Sequence, residues 1–443
     1  MLDLFLVAFL VALLATGMKR PFLFVCAYVY IDVVSPQRLT YWLLNTVPIS
    51  MIAGAAAVGG WLILDGKAGA RVAPRQMLIL LLMLYCGWTT ANADFPVDAA
   101  EVWGTTWKAL VFAAFLPLTL RTRLRIETLL LFMILSAATI IIVGGIKTAV
   151  SGGGYGELNL MVDNNSGLYE GSTISAVAVA IIPIILWFTR FGTVFVPDWR
   201  LKAFAWALCL SCLLIPIGTS ARTGLLCIAL LGVLMWRTTK RKLLYVGLVA
   251  ALGVVAVPFL PSTFTQRMET IKTYDGDQSA STRLAVWAWT IDYAKAHPFG
   301  GGFMAFKQNK LRMELKDASG ATVLATDEAR AYHSAYFQML GEQGYPGLLL
   351  WLAINLAGVW RMEVLARRHR RPDDPYVWGG QLAVALQSAH LVYLLGAAFV
   401  GIAFQPFVFM LTGAQIGLDT YLGRKRGEDA PRPAMGARRV VPA

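Results

Sequence analysis

Residues 203–236 read AFAWALCLSCLLIPIGTSARTGLLCIALLGVLMW, two apolar runs broken once, at Gly218-Thr-Ser-Ala-Arg-Thr-Gly224. The runs 203–218 and 223–236 supply 16 and 14 positions. At about 1.5 Å per residue they reach roughly 24 and 21 Å, short of a hydrocarbon core of about 30 Å. Both must be helices, because lipid leaves every backbone N–H and C=O to be satisfied within the segment. The turn between them is then expected below the membrane surface, and Arg222 with it. An arginine at that depth is costly and normally faces protein, a cavity or an anion.

Runs of the same kind recur along all 443 residues, of which 57% are hydrophobic and 15% charged. The fold class is therefore an all-α polytopic membrane protein with about 12 or 13 transmembrane helices. The predicted spans are 2–17, 21–34, 41–64, 77–92, 104–120, 125–148, 169–190, 203–218, 223–236, 243–260, 333–360, 379–398 and 400–418. No basic region precedes the first run and no small-x-small cleavage site follows it, so it reads as a retained span.

A net charge of +13 raises nucleic acid as a partner, and the distribution of that charge rejects it. The basic residues fall in short loops: Arg121, Arg123 and Arg125; Arg237, Lys240, Arg241 and Lys242; Arg361, Arg367, Arg368, Arg370 and Arg371. That is the positive-inside pattern. Loops of opposite parity, 92–101 and 151–168, hold Asp94, Asp98, Glu101, Glu157 and Asp163 and no Lys or Arg. The five cysteines all lie in apolar runs, where packing explains them, Cys209 and Cys212 included.

Four units follow: an N-terminal transmembrane bundle at 1–260, a large loop at 261–332, C-terminal spans at 333–420 and a disordered cytoplasmic tail at 421–443. Loop parity puts the Arg222 turn and segment 261–332 on the same, non-cytoplasmic side. That segment carries nine Lys/Arg against eight Asp/Glu, and long ordered loops are usually functional. Within it Ser281-Thr282 precede a predicted helix, Arg283 to Ala296, ended by His297-Pro298 and three glycines. Further short helices are expected in the same loop.

Three residues carry the chemistry. Arg222 suits the diphosphate of a lipid-borne molecule, since a planar guanidinium donates paired hydrogen bonds that strengthen where water is scarce. Snorkelling to phospholipid headgroups is the bland alternative. Arg283, read as opening its helix, would add a full charge to the N–H groups of a helix start. His333 lies where the loop re-enters the membrane; an imidazole is mostly neutral at pH 7, and arginines nearby would keep it so, ready to act as a general base. Ser220, Arg330, Tyr336, Tyr274 and Trp287 are possible supporting residues, with Trp287 and Trp289 candidates for stacking on sugar. His297 reads as a helix-end cap and His390 as a residue within an apolar helix. Asp275-Gly-Asp277 imitates a metal-binding pair but reads as a turn, and Gly152-Gly-Gly154 as a flexible loop. No zinc-ligand set or nucleotide-binding motif appears, so neither metal nor cofactor is expected.

With these residues in place the chain resembles the O-antigen ligase family, whose C-terminal region is shared with O-antigen polymerases and bacterial O-oligosaccharyltransferases. The likeness rests on Ser220-Ala-Arg222-Thr-Gly224, on Arg283 with Trp287, and most sharply on His333-Ser-Ala-Tyr-Phe-Gln-Met-Leu-Gly-Glu342-Gln-Gly-Tyr-Pro-Gly347. Met268 to Tyr274, continuing into Ser279-Ala-Ser-Thr-Arg283, is also similar to exosortase-associated O-glycosylation ligases. The resemblance implies metal-independent, inverting transfer of an undecaprenyl-diphosphate-linked polysaccharide at the periplasmic face of the bacterial inner membrane. The implied acceptor is a hydroxyl of lipid A–core oligosaccharide. Arg222 and Arg283 would hold the diphosphate and His333 would deprotonate the acceptor. An O-antigen polymerase or a protein O-oligosaccharyltransferase would use the same donor with a different acceptor. A lipid-linked glycan transporter would also want buried arginines, but transporters place them near the midplane in two matching halves, and no half-repeat is visible. A structural scaffold would leave the polar re-entry at His333 unexplained.

Overall fold

The structure, a computed structural model, describes residues 2–40, 43–44, 46–153, 167–239, 242, 278–316 and 322–429. Among them lie fourteen α-helices: α1 (Leu2–Gly17), α2 (Phe22–Val34), the single-turn α3 (Pro36–Leu39), α4 (Ile49–Ile63), α5 (Pro74–Ala91), α6 (Pro96–Thr119) and α7 (Arg123–Ser151), then α8 (Gly171–Phe191), α9 (Trp199–Gly218), α10 (Arg222–Thr238), α11 (Gln278–Ala296), α12 (Ala335–Arg368), α13 (Val377–Ala397) and α14 (Pro406–Asp429). By length and composition α7, α8, α9 and α12 can each cross a membrane alone. The chain is an all-α, multi-pass membrane protein. The expected span 243–260 lies outside the described residues.

Helix ends follow local chemistry. Thr122 caps α7 by accepting from the Arg125 N–H at 3.3 Å, and Asp198 caps α9 through the Leu201 N–H at 2.8 Å. Glu170 caps α8 through the N–H groups of Ser172 and Thr173, at 3.0 and 2.6 Å. Lipid offers no hydrophobic drive between helices, so close packing of small residues has to supply it. Gly224 of α10 accordingly sits on Pro216 and Ser175, and Gly396 of α13 on Ala176. Gly153, read from sequence as part of a flexible loop, is instead a contact: its backbone lies against Gly218, where a side chain would collide.

A chain of buried polar groups ties four helices together. Arg75 of α5 donates to Gln415 of α14 at 3.0 Å, and Gln415 meets His390 of α13 at 3.0 Å. His390 meets Asn355 of α12 at 2.8 Å, and Asn355 donates to the Trp351 carbonyl at 2.7 Å. The donor sequence assigns His390 a proton on Nε2 and a lone pair on Nδ1. His390 is thus a structural member of the bundle, as its apolar surroundings in the sequence suggested.

The bundle has two chemically distinct ends. At one, Asp65 pairs with Arg121 and Arg125 at 2.8 and 2.6 Å, Arg361 with Asp419 at 2.8 Å and Arg237 with Glu363 at 2.8 Å. The basic loops singled out in the sequence gather here. At the other end lie the Arg222 turn, Glu170, Asp94 and the segment before α12. The five cysteines are free and buried.

The exterior segment folds back onto this second end. It comprises α11, a short 3₁₀ turn (Ala305–Gln308) and an antiparallel hairpin of β1 (Lys310–Lys316) and β2 (Thr322–Glu328), with Lys310 opposite Glu328 and Lys316 opposite Thr322. Only short helices were expected there; the alternation Lys310-Leu-Arg-Met-Glu-Leu-Lys316 carries the period-2 signal for the strand. Asp94 anchors the segment twice, accepting from the Tyr293 hydroxyl and donating its N–H to the Gly301 carbonyl at 2.9 Å. Asp98 adds an ion pair with Lys307 at 2.7 Å. Residues 298–302 then lie along a break in α12 at Gly344 (φ 63°, ψ −167°), where the N–H groups of Gly301, Gly302 and Tyr345 bond to Gly341, Glu342 and Pro298 carbonyls at 3.1, 2.9 and 2.9 Å.

Two expectations need correcting. Among the described residues helix α11 already runs from Gln278 and does not open at Arg283, because nothing in Gln278-Ser-Ala-Ser-Thr breaks a helix. Arg283 therefore offers its side chain alone, without the N–H groups of a helix start. Helices α9 and α10 run 20 and 17 residues, longer than the apolar runs. The added turn of α9 contains Trp199, Arg200 and Lys202, which suit a membrane interface, so helix length alone does not fix the depth of Arg222.

Candidate functional site

Arg283, Arg330 and His333 line one cavity of about 130 Å³, together with Thr282 and Val286. Three chain segments deliver them. Thr282, Arg283 and Val286 come from one face of α11, Arg330 from the strand exit after β2, and His333 from the last residues before α12.

Backbone fixation brings His333 to this point. Tyr332 and Ser334 on either side are buried, 3% and 1% exposed, and hold the chain while His333 adopts φ 48°, in the left-handed region. A non-glycine residue there costs on the order of 1 kcal/mol and persists only where its surroundings impose it. Trp287 supplies part of that hold: its indole Nε1 donates to the Tyr332 carbonyl at 2.9 Å, and its ring stacks on Phe337 at 4.8 Å and 7°. Trp287 shares a helix with Arg283, yet its ring is used in packing on Phe337. Trp289 likewise stacks on Tyr293 at 4.8 Å, and Tyr293 on His297 at 4.3 Å.

Arg330 is held from behind. Asn309, fully buried, accepts from the Arg330 N–H at 2.9 Å and donates to the Arg330 carbonyl at 2.7 Å. The Ala329 N–H adds a bond to the Asn309 carbonyl at 3.1 Å. The guanidinium itself reaches toward Asp327 at 3.5 Å. Asn309 escaped sequence reasoning because a single asparagine between two elements carries no pattern.

The electrostatics of the cavity favour a neutral base. Burial, then Arg283, then Arg330 push the His333 imidazole below its ordinary 6.5, while Glu170 acts in the opposite sense. His333 precedes α12, so this is an environment outside the helix core. A small cavity with two guanidinium groups and an uncharged imidazole can bind an anion and accept a proton beside it.

Arg222 is the first residue of α10 and does not line this cavity. It follows Thr219, Ser220 (φ 51°) and Ala221, a tight turn after α9. Ser175 of α8 meets Thr219 across 2.9 Å, and Glu170, which acts on His333, lies five residues before Ser175. That separation is roughly 8 Å along a helix axis. The α8 N-terminus thus connects the Arg222 turn to the cavity at the same end of the bundle. Of the supporting candidates, Tyr336 donates to the Leu394 carbonyl at 3.1 Å and ties α12 to α13, and Ser220 forms the turn. Tyr274, Asp275 and Asp277 lie outside the described residues.

Comparison with known families divides the chain in two. Residues 206–352 match a family model described as O-antigen ligase, a span that contains Arg222, Arg283, Arg330 and His333. Residues 1–193 match a family of unknown function (DUF5935). No curated protein matches the chain.

Proposed function

Since the chain belongs to the O-antigen ligase family, we propose that it transfers an undecaprenyl-diphosphate-linked polysaccharide to a hydroxyl of lipid A–core oligosaccharide. In this reading the basic end of the bundle is cytoplasmic and the cavity faces the periplasm across the inner membrane. The membrane glycosyltransferase character comes with the family; donor, acceptor and orientation are our assignment. The proposed units are the bundle 1–260, the exterior segment 261–332, the C-terminal helices 333–420 and a cytoplasmic tail 421–443, whose first residues, expected from sequence to be disordered, instead continue α14 to Asp429 because its apolar face packs on into the bundle. The observation that carries the reading is the cavity shared by Arg283, Arg330 and His333, with the Arg222 turn at the same end of the bundle.

The chemistry is a single displacement. Arg222 and Arg283 bind the donor diphosphate, and Arg330 adds positive charge at its edge. His333 takes the proton from the acceptor hydroxyl as that oxygen attacks the anomeric carbon. The bond from this carbon to the diphosphate oxygen breaks, and the diphosphate leaves with the electron pair, inverting the configuration. Fixed guanidinium groups in a dry site stabilise the charge that grows on the leaving group, and no metal is needed to do so. Removing one such donor typically costs about 10²–10³ in rate, and removing a general base about 10²–10⁴.

The test uses labelled lipid-linked glycan with purified protein, offered core lipid, a second lipid-linked glycan or a protein acceptor in separate reactions. Labelled core lipid is the expected product; label in either other acceptor would reassign the enzyme as a polymerase or a protein O-oligosaccharyltransferase. Arg222→Ala should lose at least as much activity as His333→Ala, about a hundredfold or more. Full ligation by a folded Arg222→Ala protein would remove Arg222 from the site. Complete loss of activity in saturating EDTA would overturn the metal-independent mechanism and turn attention to Asp275 and Asp277.

A further inference from the structure

A second cavity lies away from this site, at the basic end of the bundle. It measures about 490 Å³ and is walled by α7, α8, α9 and the link between the last two, with Ile134, Ile185, Phe188, Phe195 and Phe204 among its apolar sides. That volume falls within the roughly 300–1,000 Å³ of cavities that hold small ligands. It opens onto the lipid-facing flank, where Leu135 and Phe204 are exposed. From Arg200 to Leu208, both lining residues, α9 rises roughly 12 Å. One leaflet of hydrocarbon is about 15 Å deep. The groove therefore has the length of a single leaflet and the polarity of its interior.

Charge sits only at the mouth. Arg200 lines it, and exposed Arg190 and Lys202 flank it on α8 and α9. The one carboxylate there, Asp198, accepts the Leu201 N–H and caps α9. Glu127, on the neighbouring helix, is committed to Arg123 at 2.7 Å and to Thr193. Thr189, the remaining polar wall residue, donates to its own helix. Among the described residues no carboxylate pairs with these cations, and Arg200 lies over the Trp199 ring at 5.7 Å, so their charge is directed to whatever occupies the headgroup level.

We infer that this groove is a binding site for an acidic phospholipid, one acyl chain lying between α7, α8 and α9 and the phosphate held at Arg200, Arg190 and Lys202. Apolar burial alone cannot select a ligand here, because a chain leaving bilayer for groove exchanges one hydrocarbon surface for another. Selection comes from the headgroup, where each basic residue near an anionic lipid adds to the attraction. The occupant is consequently distinguished by charge and not by chain type. The inference stands apart from the glycosyl-transfer reading.

The experiment compares phosphatidylglycerol with phosphatidylcholine of equal chain length, titrated into the delipidated full-length protein, and follows the unfolding temperature and the lipid retained in native mass spectrometry. Ligand binding to the folded state raises the unfolding temperature by mass action. Phosphatidylglycerol should raise it and remain bound at least tenfold more than phosphatidylcholine. Ala205→Trp, which fills the groove, should abolish retention. Should that variant not fold, the double exchange Arg200→Gln and Lys202→Gln decides, since both side chains are exposed. It should erase the preference for phosphatidylglycerol and leave the lipid-free unfolding temperature unchanged. Equal retention of the two lipids by the unaltered protein, undiminished retention by a folded Ala205→Trp, or a preference that survives the double exchange would each overturn the assignment.

Discussion

Replacing Asn309 with alanine should loosen the strand exit that carries Arg330 and, three residues on, His333. Asn309 is fully buried and its side chain makes two hydrogen bonds, 2.9 Å from the Arg330 N–H and 2.7 Å to the Arg330 carbonyl. The alanine variant leaves one donor and one acceptor of the main chain without a partner. Each such buried group costs about 1–3 kcal/mol, so the local loss is about 2–4 kcal/mol once partial access to water is allowed. At about 1.36 kcal/mol per tenfold, segment 327–334 should open roughly 30- to 1,000-fold more often. Hydrogen exchange in lipid nanodiscs reads this directly: amides of 329–332 should exchange faster by that factor, while those of α8 and α13 stay unchanged. Asn309→Asp keeps the acceptor for the Arg330 N–H and should lie between. Unchanged exchange at 329–332 in a folded Asn309→Ala protein would refute the argument that this side chain holds the Arg330–His333 segment in place.

Three further outcomes are expected. Gly344→Ala places a side chain at φ 63° against the backbone of Pro298 and Gly300, so it should destabilise the protein by more than about 2 kcal/mol in thermal unfolding, whereas Gly104→Ala, with open space around it, should not. His390→Leu removes the link between Gln415 and Asn355, and at about 0.6–1.7 kcal/mol per intramembrane hydrogen bond the loss should be about 1–3 kcal/mol, measured as a lowered unfolding temperature with transfer activity retained at low temperature. The acid limb of kcat/KM should lie below the ordinary imidazole value of 6.5, because burial, Arg283 and Arg330 all disfavour the protonated form of His333. Arg330→Gln removes one positive neighbour and should move that limb to higher pH; a limb that stays in place would separate Arg330 from the base.

What the sequence showed, and what it withheld, divides along one line. Apolar runs and basic loops are properties of composition over many residues, so the membrane fold and the gathering of Arg121, Arg125, Arg237 and Arg361 at one end were legible. Arg283, Arg330 and His333 were legible as individuals because charged and titratable residues stand out against an apolar background. Their meeting was not, since it depends on Asp94, in the loop between α5 and α6, and Asp98, in the first turn of α6, which anchor Tyr293 of α11 and Lys307 of the 3₁₀ turn about 200 positions later. Nor was the start of α11: Ser281 and Thr282 look like caps, but a cap preference only marks where a helix could begin, and the five residues before Arg283 continue it. Trp287 shows the same limit. An aromatic beside a sugar-binding site invites a stacking role, and only the geometry reveals its ring stacked on Phe337 and its N–H committed to Tyr332.

The two guanidinium groups beside His333 have opposite consequences before and after a donor arrives. In the empty cavity their positive charge holds the imidazole in its unprotonated form, the form a base requires. A bound diphosphate brings negative charge to the same groups and offsets their field at His333. The proton affinity of the imidazole then rises when the acceptor hydroxyl must be deprotonated. A base that is neutral at rest and stronger with substrate needs no separate trigger. The sign of this coupling is fixed: since kcat/KM reports the free enzyme and kcat the bound one, the acid limb of kcat must lie at higher pH than that of kcat/KM. The reverse order would mean that the diphosphate lies too far from His333 to be held by Arg283, and the cavity would then have to be read as an acceptor site.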